Sequence, residues 1–255
     1  MQHLPLSYIE PVFRPPSEAR SLILQVTNGC SWNRCTFCEM YTDPQKKFRP
    51  KPEAEILQEI ETLSRKLTGI RRVFLADGDA MVLSFSRLMV ILEAIRKYFP
   101  DISRVSAYCL PRNLNNKTDE ELLALNQAGL SMLYVGAESG DDQVLELVNK
   151  GETFESTASA LNRLQQAGIK RSVMILNGLG GQQFSSQHAV QSARLANACQ
   201  PEYLATLVVS FPKGLERFGE GFNGTFQPLQ QSQLFQEMEW MLEALTLDKT
   251  IFRSD

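Results

Sequence analysis

The sequence predicts an α/β fold: an open, partial (β/α)6 TIM-like barrel followed by a C-terminal helix. Three observations carry this. Six apolar runs of strand length alternate with longer runs of helical period, which implies parallel strands joined by right-handed crossovers. The distance from strand to strand suits βαβ units of ~30 residues or more. No Gly-x-Gly-x-x-Gly turn follows the first strand, which disfavours the doubly wound sheet that the same alternation allows.

Ser21–Val26 reads as the first strand, and Glu53–Leu67 as the first helix, with Ile56, Leu57, Ile60, Leu63 and Leu67 on one side. Arg72–Ala76 is a second strand. Phe85–Phe99 is a helix because Phe85, Leu88, Met89, Leu92, Ile95 and Phe99 recur at three- and four-residue spacing. Arg104–Tyr108 is a third strand. Thr118 begins a helix through Ala128, with Glu121 completing a capping box and Gly129 ending it. Met132–Val135, Ser172–Leu176 and Tyr203–Val209 are the remaining strands. Asp141–Val148, Phe154–Ala167, Ser186–Ala198 and Gln233–Leu247 are the remaining helices. No low-complexity linker or longer repeat interrupts the series, so one domain over residues 1–255 is expected: a short extension over 1–20, a core over 21–210 and a helical segment over 211–255.

At 255 residues the chain can bury a full core. Apolar residues make up 43% and charged residues 22%, ordinary for a globular protein. A net charge of −3 gives no basic footprint for nucleic acid or an anionic membrane surface. The two local basic runs, Lys46–Lys51 and Lys170-Arg171, read as solvated surface. No run of about 18 apolar residues suggests a membrane span, and Met1 to Pro16 does not read as a signal or transit peptide. Five cysteines, three of them clustered, suit a reducing compartment and metal binding. The expectation is a cytoplasmic protein.

The cluster is Cys30-Ser31-Trp32-Asn33-Arg34-Cys35-Thr36-Phe37-Cys38. Three thiolates can hold three irons of a cubane [4Fe–4S] cluster, leaving one iron open to bind a substrate. Electron-carrying clusters are closed by four cysteines, and structural zinc sites also use four ligands. Cys109 and Cys199 are distant and stand alone, and neither His3 nor His188 joins the run by spacing. Zinc with a distant fourth ligand is the alternative from residues alone. Cys109 and Cys199 read as buried, inert thiols, Trp32 as a cluster shield or a packing anchor, and the methionines as core filler. Arg112 and Asn113 read as contacts to a carboxylate or as helix-entry polarity.

The run resembles the cluster loop of the radical S-adenosylmethionine (SAM) superfamily, which usually has Cys-x3-Cys-x2-Cys with an aromatic before the last cysteine. Phe37 matches the aromatic. The first gap here is four residues, so the loop must bulge by one. Polar, glycine-containing segments also fall after the strands, where barrels place their chemistry: Asp77-Gly78-Asp79, Gly136-Ala137-Glu138-Ser139-Gly140 and Asn177-Gly178-Leu179-Gly180-Gly181. The segments Leu133–Gly140 and Val148–Gly151 are similar to those of oxygen-independent coproporphyrinogen oxidase-like members and of a broad group of iron–sulfur oxidoreductases.

The resemblance implies a [4Fe–4S] cluster on Cys30, Cys35 and Cys38 and a SAM cofactor. Asp77, Gly78 and Asp79 would meet the methionyl ammonium, and Glu138 and Ser139 the ribose or the ammonium. Ile175, Asn177 and Gly178 would pack on adenine, with Val208 and Val209 closing that pocket. A reduced cluster would cleave SAM to methionine and a 5′-deoxyadenosyl radical for hydrogen abstraction. It further implies a flavodoxin-, ferredoxin- or reductase-type electron donor and a small-molecule or peptide substrate. Cys109 and Cys199 are too few for an auxiliary cluster, which speaks against sulfur insertion, and no cobalamin-binding segment precedes the barrel. Related chains often continue past a segment like Ile251–Asp255, so a shortened C-terminus is an expectation too. Two other readings stand beside this one: a two-SAM oxidase or methyltransferase acting on a tetrapyrrole or other flat ring, and a non-catalytic iron–sulfur or zinc protein.

Overall fold

A computed structural model describes residues 6–254; His3 and Asp255 lie outside that range. The fold is α/β. Its strands are β1 (Leu22–Gln25), β2 (Thr27–Asn28), β3 (Arg49–Pro50), β4 (Arg72–Ala76), β5 (Arg104–Cys109), β6 (Leu130–Glu138), β7 (Lys170–Asn177), β8 (Tyr203–Val208) and β9 (Ile251–Ser254). Its helices are α1 (Glu53–Ser64), α2 (Phe85–Tyr98), α3 (Asp119–Gln127), α4 (Asp142–Leu147), α5 (Phe154–Gln166), α6 (Gly181–Cys199), α7 (Glu216–Gly219) and α8 (Gln231–Ala244). Seven strands form a parallel sheet in the order β1-β4-β5-β6-β7-β8-β9, and β2 and β3 form a separate two-stranded ladder. The chain divides into two compact units. One takes the chain up to Asn33, Met40–Tyr134 and Leu164–Lys170; the other takes Arg34–Glu39, Val135–Arg163 and the chain from Arg171 onward.

In the first unit, β1 and β5 flank β4 in parallel register, with Leu22 opposite Val73 and Val73 opposite Val105. Val73, Phe74, Leu75 and Ala76 are all buried, as a strand covered on both faces requires. One stripe of α1 (Ile56, Ile60, Leu63) and one of α2 (Leu88, Ile91, Leu92, Ile95) are buried, matching the helical period of the sequence. Phe74, Tyr108 and Tyr134 meet edge to face. The N-terminal segment is tied down by Glu18, fully buried, which accepts hydrogen bonds from Arg104, Ser106 and Tyr134. Burial and the Glu18 hydrogen bond both push the Tyr134 phenol above its ordinary range. Thr118 and Glu121 make the expected capping box.

In the second unit, β7, β8 and β9 pair in parallel. An aromatic group of Phe211, Phe218, Phe222 and Phe226 packs with Val144, Val148 and Leu179.

The structure corrects four sequence expectations. β9 is a seventh sheet strand; it is short, on the edge and mostly exposed, so it carries no buried alternation to read. α6 begins at Gly181 rather than Ser186, because its first turn, Gly-Gln-Gln-Phe-Ser, is polar enough to read as loop. Lys46 is not solvated surface but fully buried, ion-paired with Asp77 and donating to the Ile9 carbonyl. Arg171 is likewise fully buried. It forks onto Glu202 and donates to the carbonyls of Leu161, Cys199 and Gln200, the satisfaction that a buried guanidinium requires.

Candidate functional site

The cysteine loop leaves the first unit through the β2–β3 ladder, with Thr27 opposite Pro50 and Asn28 opposite Arg49. Asn28 Nδ2 donates to the carbonyls of Gln45 (2.7 Å) and Lys47 (2.9 Å), fastening the returning arm to the outgoing one. Gly29 has φ +71°, and a Cβ there would lie 2.1 Å from the Lys46 carbonyl oxygen, so only glycine passes this point. Cys30 follows, half-buried. The guanidinium of Arg112 lies 3.8 Å from the centre of the Trp32 indole, so Arg112 is a stacking partner of the loop rather than an isolated helix-entry polar group.

The rest of the loop belongs to the second unit. Thr36 N–H donates to the Val148 carbonyl (3.0 Å), Cys38 N–H to the Cys35 carbonyl (3.3 Å), and Arg217 Nη1 to the Cys38 carbonyl (2.6 Å). Phe37 packs on the core of Val144, Val148, Leu179, Phe218 and Phe222, with the Lys150 ammonium 5.7 Å from its ring centre. All five cysteines are outside disulfides.

At the end of β4, Asp77 and Asp79 are both fully buried. Asp77 Oδ2 takes Lys46 and the Gln25 amide (3.3 Å). Asp79 Oδ2 takes the Ser31 hydroxyl, which belongs to the cysteine loop. The second oxygen of each carboxylate, Oδ1, has no hydrogen-bond partner. Burial pushes both carboxyls above their ordinary range. Lys46 opposes this most strongly at Asp77, and the Ser31 hydrogen bond opposes it at Asp79. Between them, Gly78 has no room for a Cβ, which would fall 2.5 Å from the Tyr41 ring. Lys117 is buried on the same side, donating to the carbonyls of Met81 (2.7 Å) and Leu83 (3.0 Å), and burial pulls its pKa down.

In the second unit, β6 ends on Glu138, which takes a positive φ of 67° and receives Lys150 Nζ at 3.1 Å. A Cβ on Gly136 would lie 2.0 Å from Glu138 Oε1, so this glycine makes room for the carboxylate. Ser139 Oγ lies 2.8 Å from His188 Nδ1 and accepts from Asp141 N–H (3.0 Å). β7 ends on Asn177, buried, and Gly178, φ +82°. Ile175 is buried in the core, whereas Val208 is 51% exposed.

The structure therefore joins Asp77, Gly78 and Asp79 to the cysteine loop through Ser31 and the Lys46 arm. In the second unit it surrounds Glu138, Ser139 and Gly178 with side chains that sequence reading missed: Lys150, His188 and Glu237. Only Lys150 left a trace, lying inside the segment Val148–Gly151 that carried the resemblance. Cys109 and Cys199 are buried as expected, and burial pushes the Cys199 thiol up to about 11.

The donor chemistry fits the cofactors that the resemblance implies. Thiols on one short loop suit an iron–sulfur cluster. A buried carboxylate with an open acceptor, Asp79, is suited to an ammonium or hydroxyl donor. Among the described residues no three Cys, His, Asp or Glu side chains are gathered into a metal cage.

A family model described as the radical SAM superfamily matches residues 24–193. Among curated proteins, the chain is 25% identical over 171 residues to the heme chaperone HemW of Bacillus subtilis, covering 62% of this chain. The chain spans 30–45% of the length of the first curated relatives it matches. Among solved structures, coproporphyrinogen III oxidase of Escherichia coli shares the fold at a TM-score of 0.62 and 17% identity, over 88% of this chain and 50% of that one. SuiB of Streptococcus suis, bound to SAM, does so at a TM-score of 0.60 and 12% identity, over 92% of this chain and 49% of that one.

Proposed function

This chain belongs to the radical SAM superfamily, whose enzymes use a [4Fe–4S] cluster and SAM, and from that premise we propose that it cleaves SAM reductively to abstract hydrogen from a small-molecule or peptide substrate. The observation that carries the reading is the tie between the cysteine loop and the buried acids of β4: Ser31 of the loop bonds Asp79, whose other oxygen is open. In this reading Cys30, Cys35 and Cys38 ligate three irons, and Phe37 anchors the loop between the last two. When bound, the reduced cluster supplies the electron that divides SAM into methionine and a 5′-deoxyadenosyl radical.

The chain's own residues bind and orient. Asp79 receives the methionyl ammonium on Oδ1 while Ser31 holds Oδ2. Gly78 brings backbone close, and Asp77 is kept in place by Lys46. Glu138, steadied by Lys150, and Ser139 receive hydroxyl or ammonium donors of SAM. Ile175, Asn177, Gly178 and Val208 form the adenine side. A flavodoxin, ferredoxin or reductase supplies the electron, and a cytoplasmic setting suits five reduced thiols. Among the described residues no helix is long and apolar enough to cross a membrane.

The test uses anaerobically reconstituted protein with dithionite and SAM. The expected result is slow formation of 5′-deoxyadenosine and methionine without substrate. A cluster-loaded, SAM-binding protein that makes no 5′-deoxyadenosine over many hours would instead support a binding protein, and zinc in place of iron would remove the enzyme reading altogether. The acids make a second prediction. Asp79→Asn and Glu138→Gln should each weaken SAM binding about tenfold to a hundredfold, the worth of one charge-assisted hydrogen bond, with cluster content unchanged. Parent-like binding in both variants would mean that the cofactor pocket lies elsewhere.

A further inference from the structure

We propose that Glu237 of α8 is a positioning residue for the nucleoside end of SAM, because its buried carboxylate holds the end of β7. The inference rests on the reading above that Gly178 and Ser139 face SAM. It concerns a helix beyond residues 24–193, the stretch that carries the family match.

A carboxylate as buried as that of Glu237, 1% exposed, is costly unless it is hydrogen-bonded. Its Oε1 accepts from the backbone N–H of Gly178 at 2.6 Å, and its Oε2 from the Ser185 hydroxyl at 2.5 Å. Gly178 has left the β7 ladder in a left-handed conformation, so its N–H would otherwise be a buried orphan. The acceptor comes from a helix almost 60 residues later in the chain. Two neighbours on the same helix face close on the same turn. The Asn177 amide lies 3.9 Å from Met238 Sδ, and Leu234 Cδ2 would stand 3.2 Å from a Cβ on Gly178. Leu234, Glu237 and Met238 thus fix the path of Asn177–Gly178.

His188 lies beside the Glu237 carboxylate. Its Nε2 lies 3.9 Å from Glu237 Oε1 and its Nδ1 2.8 Å from Ser139 Oγ. Ser139 also accepts from Asp141 N–H. Burial pulls the His188 pKa down, opposed by Glu237 and Asp141, so the neutral ring is favoured. Glu237 thus fixes the strand end assigned to adenine, and the His188 beside it bonds Ser139 at the strand end assigned to ribose. Preorganisation of such a turn lowers the cost of ordering on binding.

The experiment compares parent, Glu237→Ala, Glu237→Gln and Ser185→Ala, each reconstituted anaerobically. Cluster content, SAM Kd, thermal midpoint and hydrogen exchange of the peptide containing Gly178 are read for each. Glu237→Ala should keep its cluster, exchange faster at Gly178 and raise the SAM Kd about tenfold or more. Glu237→Gln still offers an oxygen to Gly178 and should restore most of that affinity. Ser185→Ala removes one partner and should raise the Kd about threefold; it keeps the test alive if Glu237→Ala does not fold. A variant set that lowers the thermal midpoint while leaving the SAM Kd at the parent value would overturn the inference, since a helix-docking role alone does that. So would a glutamine variant that binds no better than alanine. A parent protein that binds no SAM brings down the function reading itself, and this inference with it, an outcome visible in the parent arm alone.

Discussion

Cys30→Ala, Cys35→Ala and Cys38→Ala each abolish the iron–sulfur cluster, while Cys109→Ala and Cys199→Ala keep it: that is the expected result of metal and sulfide analysis after anaerobic reconstitution. The parent should bind about four irons and four sulfides per chain. A cubane on three protein thiolates has no spare ligand, so losing one leaves two, and 5′-deoxyadenosine formation should fall below detection with it. The other two cysteines cannot substitute. Ligation needs a thiolate, and burial raises the Cys199 pKa to about 11, so that thiol stays protonated. Cys109 is buried at the end of β5 with its sulfur 3.3 Å from the Leu110 carbonyl. Cluster loss in Cys109→Ala equal to that in the loop variants would overturn the three-ligand assignment.

What the sequence could reveal follows range of interaction. α2 was legible because its buried stripe repeats every three or four residues, and α3 because Thr118 and Glu121 are three apart. The cysteine loop was legible because all its thiols lie within nine residues. β9 was not, since a four-residue edge strand is specified by pairing with β8 rather than by its own pattern. Lys46 and Arg171 were misread for one shared reason: each looks like surface charge until its carboxylate, 31 residues away in both cases, is brought beside it by the fold. The same holds for the site. The acids Asp77, Asp79 and Glu138 stood out after their strands, but the cations and the imidazole that set their surroundings came from other elements.

Lys46→Met should destabilise the first unit by about 3–5 kcal/mol at neutral pH, the usual cost of leaving one partner of a buried ion pair alone. Lys46 and Asp77 are both fully buried, and the ammonium also satisfies the Ile9 carbonyl and lies 5.8 Å from the centre of the Tyr41 ring. Without it, the buried Asp77 carboxylate is left with neutral donors such as the Gln25 amide at 3.3 Å. For a chain of this size the loss corresponds to a fall of about 10 °C in thermal midpoint. The double variant Lys46→Met/Asp77→Asn should recover much of it, because a neutral amide costs far less to bury than a stranded carboxylate. The penalty should also depend on pH in a definite sense. Burial already holds the Asp77 carboxyl above its ordinary value, and Lys46 is the strongest opposing influence. Removing Lys46 raises that pKa further, so over the interval above the unfolded carboxylate's pKa the folded variant binds more protons than the unfolded one. Its stability, intact at low pH, is then lost as pH rises through the raised pKa. Thermal unfolding of the metal-free parent and variants should show a smaller gap at about pH 5 than at about pH 7. A gap that is the same at both values, or a double variant no more stable than Lys46→Met, would mean that Asp77 is not the group Lys46 keeps charged.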